Sequence, residues 1–413
     1  MKRKKIFIIN RISRSTSYGI GTYVSQLTDC LRQTLIEFEV VNLFSDGNEM
    51  KVEEMDGYRQ ITIPAVNIIK KNNLHYYTRS VICLLKEFTP PESDCELIFH
   101  LNFMNYEHLV KELKKAFRCK MILTVHYTNW SFALSGDYKS LVRILNTRKK
   151  ELNGFEKKIA NDFREDIRMI NRCDRLICIA RHSLDSFIEN SNINKKKCFI
   201  INNGLRDEYK KYSEDKKWSV RKKYFIGQST KVILFAGRLD PVKGVEYLIK
   251  SFKRIVRKHP DSLLIIAGEG SFNLLLKDSG DCWTKIIFTG KLEKKQLYEF
   301  YQIADVGVVP SIHEEFGYVA IEMMMHRLPV IVTNTGGLAE IIDDKVTGLK
   351  VPVVEKGDRN RVLDIALLSK KIKLLIENPG FARILGENGR KNFLEQYELK
   401  SFRENMLNFY SKL

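Results

Sequence analysis

The sequence is poor in proline and in long apolar runs. It has 9 prolines in 413 residues, without Gly/Ser-rich tracts or short internal repeats. This composition argues against disordered and solenoid architectures. No apolar stretch reaches the roughly 18 residues that a membrane-spanning helix needs. The basic start MKRKKIFIIN carries only a short apolar run, which predicts a first strand rather than a secretory leader.

The cysteines and the charge both bear on where the protein works. The 8 cysteines lack CxxC pairs and metal-ligand spacing, which is typical of reduced thiols in the cytoplasm. The net charge is +19, with basic residues concentrated in 111–120 and 139–175. Such clusters are either solvated helix faces or a surface for anionic lipid, which would make the protein peripheral on the inner membrane face. We expect no nucleic-acid partner, because the charge comes without a nucleic-acid-binding module.

Short runs of Ile, Val, Leu and Phe alternate with helical patterns along most of the chain. Strands that are apolar on both faces and separated by helices belong to parallel sheets covered on each side. The predicted strands are 5–10, 39–44, 96–102, 120–126, 175–180 and 198–204, followed by 231–237, 262–268, 285–290, 306–311 and 329–334.

A polar, lysine-rich segment divides these strands into two series. The pattern predicts an α/β protein with two doubly wound, Rossmann-like domains, 1–205 and 225–390, joined by a linker at 206–224. A final helical segment, 391–413, is expected to pack back on the first domain. Ligands of doubly wound sheets bind beyond the carboxyl ends of the strands. We therefore expect the two domains to face a ligand-binding cleft.

Three residues follow strands of the first domain. Gly19 and Gly21 lie after the first strand, where the chain runs into a helix predicted from about Tyr18 to Leu31. Glycines there let a ligand approach the backbone, and a helix N-terminus favours an anion; a plain tight turn is the alternative. His126 ends the fourth predicted strand, as either a structural hydrogen-bonding group or a catalytic one.

Arg238 and Lys243 follow the first strand of the second domain, in FAGRLDPVKGVEYLI. Arginine offers a planar fork for phosphate and lysine a flexible point charge, so the pair suits a diphosphate. Asp240 could instead neutralise either cation. The position at a strand end favours phosphate binding.

The stretch EEFGYVAIE carries three acids around an apolar middle. Glu314 lies in a predicted turn at a strand end, and Glu322 lies about two turns further along, in the helix that follows. Carboxylates hold sugar and ribose hydroxyls by accepting charge-assisted hydrogen bonds. Glu315 is expected to face water. The start of the helix adds the free backbone amides of Phe316, Gly317 and Tyr318.

Taken together, these motifs resemble the retaining glycosyltransferases of the GT-B fold, specifically glycosyltransferase family 4. EEFGYVAIE corresponds to the E-x7-E motif, and YGIGTYV, TVHY, AGRLDPVKG, IIAGEG, FTGKL and PVIVTNTGG follow the family's order. The resemblance implies an enzyme of the EC 2.4 class that transfers a sugar from a nucleotide-diphospho-sugar to an acceptor hydroxyl. The sequence has no D-x-D, so no metal and no cofactor are expected.

The resemblance also implies roles for residues. Arg238 and Lys243 would hold the donor diphosphate, Glu314 the transferred sugar, and Glu322 the ribose. The loop with Gly19 and Gly21 would face the donor phosphates or the acceptor, and His126 would touch the donor sugar near the reacting carbon. Glu314, His126, Arg238 and Lys243 form the predicted catalytic set.

Two features leave the substrates and the activity open. The chain reads EMMMHRLPV where the family has EAMACGLPV, so His326 and Arg327 replace small residues and local packing must differ. The acceptor could be a glycan, a lipid-linked molecule or a peptide. The peptide is included because the region 100–130 is similar to transferases of peptide-maturation systems. A nucleotide-sugar epimerase of the same fold and a non-catalytic basic binding protein are the alternatives.

Overall fold

A computed structural model describes residues 3–12, 19–65, 71–90, 95–357 and 361–413, with the side chains of 71 and 72 left out. The described chain forms two compact units. The first unit contains the residues up to Ala133, then Tyr138–Asn203 and Arg403–Leu413, and the second contains Leu134–Asp137 and Gly204–Phe402.

The first unit is a doubly wound α/β structure. Its strands are β1 (Arg3–Arg11), β2 (Glu37–Ser45), β3 (Lys51–Met55), β4 (Tyr58–Pro64), β5 (Cys95–Leu101), β6 (Cys119–Val125), β7 (Arg175–Cys178) and β8 (Cys198–Ile200). Its helices are α1 (Gly19–Leu31), α2 (Lys71–Glu87), α3 (Glu107–Ala116), α4 (Asn129–Ala133), α5 (Tyr138–Asn146), α6 (Gly154–Arg172) and α7 (Arg181–Glu189). Within the described residues, the strand order is β3-β4-β2-β1-β5-β6-β7-β8.

The centre of this sheet is β1, which pairs in parallel with β2 on one side and β5 on the other. Ile6, Phe7, Ile8 and Ile9 are fully buried, because helices cover both faces of the sheet. The strand order reverses between β1 and β5, and in doubly wound sheets that switch point is where ligands bind.

A hairpin at one sheet edge was missing from the predicted strands. β3 and β4 pair antiparallel, with Met55 opposite Tyr58 across an Asp56-Gly57 turn. Gly57 has φ +83°, as a two-residue hairpin turn requires. Every residue of β3 is exposed, so the strand lacks the apolar run used to find the others. The Asp-Gly pair was the available signal.

The second unit holds a parallel sheet and most of the remaining helices. Its strands are β9 (Lys231–Ala236), β10 (Ser262–Ala267), β11 (Ile286–Gly290), β12 (Val306–Val309), β13 (Val330–Thr333) and β14 (Leu349–Val351), with a separate antiparallel pair, β15 (Val353–Glu355) and β16 (Arg361–Leu363). Its helices are α8 (Glu214–Lys223), α9 (Val245–Val256), α10 (Asn273–Ser279), α11 (Lys294–Ile303), α12 (Tyr318–Met325), α13 (Gly336–Ile341), α14 (Ile365–Glu377) and α15 (Pro379–Asn392).

The strand order of the parallel sheet is β11-β10-β9-β12-β13-β14 in the part of the chain that the structure describes. The chain leaves β9 toward β10 and later returns to β9 on its other side, as β12. The switch point of this unit therefore lies between β9 and β12. Helix α9 packs on the sheet through Leu248, Ile249 and Phe252, all fully buried, at the spacing of one helix face.

The predicted linker, 206–224, and the predicted C-terminal segment, 391–413, both contain helices. Helix α8 lies in the segment 206–224, begins after the N-cap Ser213 and belongs to the second unit. A last helix, α16 (Leu399–Ser411), follows α15 and a short π-helical stretch. Its residues from Arg403 onward belong to the first unit. There Lys4 donates to the Tyr410 carbonyl oxygen at 2.7 Å, so the chain end packs on the first unit as predicted.

Candidate active site

Lys243 and Glu314 meet at the switch point of the second unit. Lys243 lies in the turn after β9 and Glu314 in the turn after β12, and these strands are neighbours. Lys243 Nζ lies 2.6 Å from Glu314 Oε2, with both side chains less than a fifth exposed. Ser311 Oγ also donates to Glu314 Oε2, at 3.2 Å. The structure thus brings together two of the predicted catalytic residues, 71 positions apart.

A glycine permits the close approach of these two turns. Gly244 follows Lys243 with φ +66°, and a Cβ there would lie 2.1 Å from the Pro310 carbonyl oxygen. Any other residue would push the first turn away from the second, because the obstacle is backbone. The motif PVKG therefore needs its glycine to keep Lys243 within reach of Glu314.

Arg238 lies in the same turn as Lys243, and Asp240 pairs with it. The guanidinium Nη2 of Arg238 lies 3.0 Å from Asp240 Oδ2, and both side chains are more than a third exposed. An ion pair this exposed contributes little to stability. An incoming phosphate could therefore replace Asp240 as the partner of Arg238 at low energetic cost.

The start of α12 lies against the start of α13. Gly317, the N-cap residue of α12, has φ +116°, and a Cβ there would lie 2.7 Å from Leu338 Cδ2. Gly337 of α13 packs as tightly, and its amide donates to the Glu314 carbonyl oxygen at 2.9 Å. Phe316 is buried, and Tyr318 is the first residue of the helix. The two glycines thus fix the turn that carries Glu314.

The expectation for Glu315 is wrong. Its side chain is buried rather than facing water, and Oε1 lies 3.1 Å from His313 Nε2. His313 is itself fully buried. The turn between β12 and α12 directs Glu314 to Lys243 and Glu315 to His313. Glu315 thus contacts the buried His313, whereas Glu314 contacts Lys243 at the strand ends.

Glu322 lies one helix turn beyond the start of α12 and is held by a tyrosine that the sequence did not mark. Tyr301 of α11 donates its hydroxyl hydrogen to Glu322 Oε2 at 2.8 Å. Burial raises the pKa of Glu322, and the Tyr301 hydrogen bond opposes that rise. Tyr301 and Ser311 are the two carboxylate partners that sequence reasoning missed, because neither belongs to the E-x7-E motif.

The unusual pair His326 and Arg327 ends α12. Arg327 has φ +58°, a left-handed conformation that favours glycine, and glycine is the family residue at this position. Its guanidinium lies over the Tyr209 ring at 5.3 Å and pairs with Glu387 at 3.0 Å. His326 is buried, and its ring packs at a tilt against Tyr298 with ring centroids 4.4 Å apart. Both side chains therefore make packing contacts that the smaller residues of the family pattern could not make.

In the first unit, a row of polar side chains crosses the carboxyl-end halves of four neighbouring strands, β2, β1, β5 and β6. His126 Nε2 lies 3.3 Å from Asn102 Oδ1. Asn102 Nδ2 donates to Asn10 Oδ1 at 3.0 Å, and Asn10 Nδ2 donates to Asn42 Oδ1 at 3.2 Å. With each amide donating onward, His126 donates through Nε2, so its Nδ1 is the hydrogen-bond acceptor of the neutral ring. The row runs along the switch point of this unit.

Burial lowers the pKa of His126 to about 3. The ring of Tyr23 from α1 packs edge-on against it, 4.5 Å between centroids. His126 is therefore neutral near pH 7 and suited to hydrogen bonding rather than to proton donation. Gly19 and Gly21 lie in the first turn of α1. Most of the loop before them, residues 13–18, lies outside the described residues.

The basic clusters of the first unit are rich in ion pairs. The pairs that fall in or next to 111–120 and 139–175 are Lys114–Asp174, Lys115–Glu112, Lys120–Glu96, Arg143–Glu156, Arg148–Glu151, Arg168–Glu107 and Arg172–Glu107. These contacts neutralise part of the charge and fit solvated helix faces. Of the helices described, none combines the length and the apolar character required to cross a bilayer.

Models of two protein families match most of the chain. Residues 18–209 match Glycosyltransferase Family 4, and residues 216–392 match Glycosyl transferases group 1. Curated relatives include an uncharacterised glycosyltransferase of Methanocaldococcus jannaschii, 31% identical over 53% of this chain and 55% of its own length. The lipopolysaccharide 1,2-N-acetylglucosaminetransferase of Salmonella typhimurium is 29% identical over 48% of this chain and 55% of its own length. The matched stretches thus span about half of these relatives.

Solved structures share the fold over nearly the whole chain. The sucrose-phosphate synthase of Thermosynechococcus elongatus superposes with a TM-score of 0.76 at 21% identity, covering 99% of each chain. HepE of Anabaena, solved in complex with UDP-glucose, gives a TM-score of 0.72 at 15% identity, covering 98% of this chain and 100% of that one. Both family models and these structures agree with the two doubly wound units described above. The chain belongs to the glycosyltransferases of the GT-B fold, with a family 4 first half and a group 1 second half.

Proposed function

We propose that this protein transfers a sugar, with retention of configuration, from a nucleotide-diphospho-sugar to an acceptor hydroxyl. The observation that carries the proposal is the Lys243–Glu314 pair, 2.6 Å apart at the switch point of the second unit. A cation for phosphate and a carboxylate for sugar hydroxyls lie side by side, as a sugar diphosphate requires. The donor binds mainly to the second unit and the acceptor to the first.

The leaving diphosphate needs positive charge, and Lys243 and Arg238 supply it without a metal ion. Both follow β9, and the N-terminus of α12 adds backbone amides directed at the same strand ends. A well-placed donor of this kind stabilises a transition state by about 3–4 kcal/mol. Asp240, the present partner of Arg238, would be displaced as the diphosphate binds.

Retention follows when the acceptor attacks the face from which the diphosphate leaves. The bond from the acceptor oxygen to the anomeric carbon forms as the bond from that carbon to the diphosphate oxygen breaks. An oxygen of the leaving diphosphate takes the acceptor's proton. No protein nucleophile takes part, so Glu314 positions the transferred sugar. Neutral His126, with Nδ1 as acceptor, holds a hydroxyl of that sugar near the reacting carbon.

The identity of the substrates rests on the relatives alone. HepE was solved with UDP and with UDP-glucose, and one curated relative is a lipopolysaccharide N-acetylglucosaminetransferase. A uridine nucleotide is therefore the first donor to test. A glycan, a lipid-linked molecule and a peptide are the acceptor classes to test with it.

A donor screen with product analysis tests the proposal. UDP-, GDP- and ADP-sugars are first ranked by the rise in Tm, because a ligand that binds the native state stabilises it by mass action. The best donor is then incubated alone and with each acceptor class, and its products are separated by mass and by sugar identity. Transfer or slow donor hydrolysis supports a transferase. A changed sugar that stays on the nucleotide, with no acceptor present, identifies an epimerase instead.

A further inference from the structure

Tyr301 engages one oxygen of the Glu322 carboxylate from a different helix. The hydroxyl of Tyr301 in α11 donates to Glu322 Oε2 of α12 at 2.8 Å. Tyr301 is 1% exposed, and burial raises its pKa well above the usual value. The phenol therefore keeps its proton and acts as a hydrogen-bond donor at every pH at which the protein works.

His326 fixes both partners of this hydrogen bond. Its Nδ1 lies 2.9 Å from the Glu322 carbonyl oxygen. That oxygen can only accept, so Nδ1 carries the hydrogen. The His326 ring packs on Tyr301 with centroids 5.2 Å apart, and burial lowers the pKa of His326 to about 4. A neutral histidine thus anchors the main chain of Glu322 and supports the ring that holds its side chain.

We propose that Tyr301 is a positioning residue for nucleotide recognition. It fixes Glu322 Oε2, restricts rotation of the carboxylate and leaves the other oxygen to accept hydrogen bonds from the ribose hydroxyls. The proposal rests on the proposed function, in which Glu322 binds the donor ribose. A carboxylate fixed in advance loses less conformational entropy when the ribose binds than a freely rotating one.

The same hydrogen bond favours the ionised form of Glu322. Burial raises the Glu322 pKa and the Tyr301 hydroxyl lowers it, so removing the hydroxyl raises that pKa further. Other charged or titratable groups that act on Glu322 include Lys294 and Tyr298 of α11 and Glu208 before α8. The elements around α12 also carry His326, Glu340 of α13, Arg390 of α15 and Tyr397. All of them remain in a Tyr301→Phe protein. A difference between that variant and the parent therefore reports the one hydroxyl.

The test compares two nucleotides on the full-length chain. Calorimetry measures the Kd of the tightest binder among UDP, GDP and ADP, and of its 2′,3′-dideoxy counterpart, for the parent, Tyr301→Phe and Glu322→Gln. Tyr224→Phe is the matched control, since Tyr224 donates to Glu299 at 2.9 Å elsewhere in the second unit. Binding is repeated from pH 5 to pH 8, and Tm verifies folding.

We expect Tyr301→Phe to weaken the natural nucleotide about three- to tenfold, the effect of losing one hydrogen bond, and to weaken the dideoxy nucleotide less than twofold. As the pH is lowered, nucleotide binding by Tyr301→Phe should begin to weaken at a higher pH than nucleotide binding by the parent. Equal weakening of both nucleotides, or an unshifted pH profile, would overturn the positioning role. If Glu322→Gln itself leaves binding of the natural nucleotide unchanged, or if no nucleotide binds the parent, the proposed function fails instead.

Discussion

The Lys243 ammonium lies 2.6 Å from the Glu314 carboxylate, so two residues assigned to different parts of the donor neutralise each other when no donor is present. Each would be left as a largely buried, unpaired charge if the other were removed. In the proposed function, donor binding would therefore exchange partners rather than bury new charge: the diphosphate would pair with Lys243, and the sugar hydroxyls would donate to Glu314.

This pairing predicts that activity and stability respond differently to substitution. Glu314→Gln and Lys243→Met should each lower Tm, because each leaves one unpaired charge. The double variant should recover most of that loss in Tm while remaining inactive. Thermal unfolding and steady-state transfer assays measure the two effects. Recovery of activity in the double variant would contradict the assignment of these residues to the donor.

Substitutions of Glu314 and Glu322 should have different effects on binding of the free nucleotide and on use of the sugar donor. Each Glu→Gln change removes a charge-assisted hydrogen bond, and kcat/KM should fall about ten- to a hundredfold for about 1.5–3 kcal/mol. Binding of the free nucleotide should weaken in Glu322→Gln and change little in Glu314→Gln, since the bare nucleotide has a ribose but no transferred sugar. Equal effects on nucleotide binding would remove the distinction between the two acids.

Glu315 should matter for folding. Glu315→Ala leaves the buried His313 ring without this acceptor, which costs about 1–3 kcal/mol of unfolding free energy. Glu315→Gln should be milder because its amide oxygen can still accept. Glu246→Ala is the control, since that acid is about two-fifths exposed and forms an ion pair with Lys250 at the surface. Denaturant unfolding measures all three, and equal losses for Glu315→Ala and Glu246→Ala would contradict the burial.

Asp166 should make the protein less stable as pH rises. It is fully buried in the first unit and accepts from Trp130 Nε1 at 3.0 Å, and burial raises its pKa to about 8. The usual value is about 3.9, so between these two values the folded state holds a proton that the unfolded state has released. Stability therefore falls from about pH 4 to pH 8.

Asp166→Asn removes the titrating group and keeps an oxygen for Trp130. Its Tm should fall less between pH 5 and pH 8 than that of the parent. Glu165→Gln, a change at the adjacent, half-exposed acid of α6, should keep the parental slope. The prediction fails if the parent and Asp166→Asn show the same dependence of Tm on pH.

Transfer should survive chelation of metal ions if, as proposed, Lys243 and Arg238 supply the charge for the leaving diphosphate. Activity is measured with and without EDTA, and then with added manganese. Complete loss in EDTA that manganese restores would show that the reaction needs a metal.

Much of the GT-B architecture could be predicted from the sequence, because local runs of residues locate the strands. Strands buried on both faces are apolar throughout, so β1, β9 and β12 could be located from single runs of residues. The residues that follow them, Arg238 and Glu314 among them, are then placed at strand ends by chain order alone. The exposed strand β3 was not predicted, because the apolar pattern comes from burial and not from strand formation.

The partners of those residues were decided by the tertiary structure. β12 lies beside β9 although about 70 residues separate them, and this strand order sets the 2.6 Å contact between Lys243 and Glu314. The same packing brings Tyr301 of α11 to Glu322. The direction of a turn, which no periodicity encodes, buries Glu315 beside His313. The sequence determined which chemical groups reach the strand ends, and long-range packing determined which of them are paired, buried or left for a ligand.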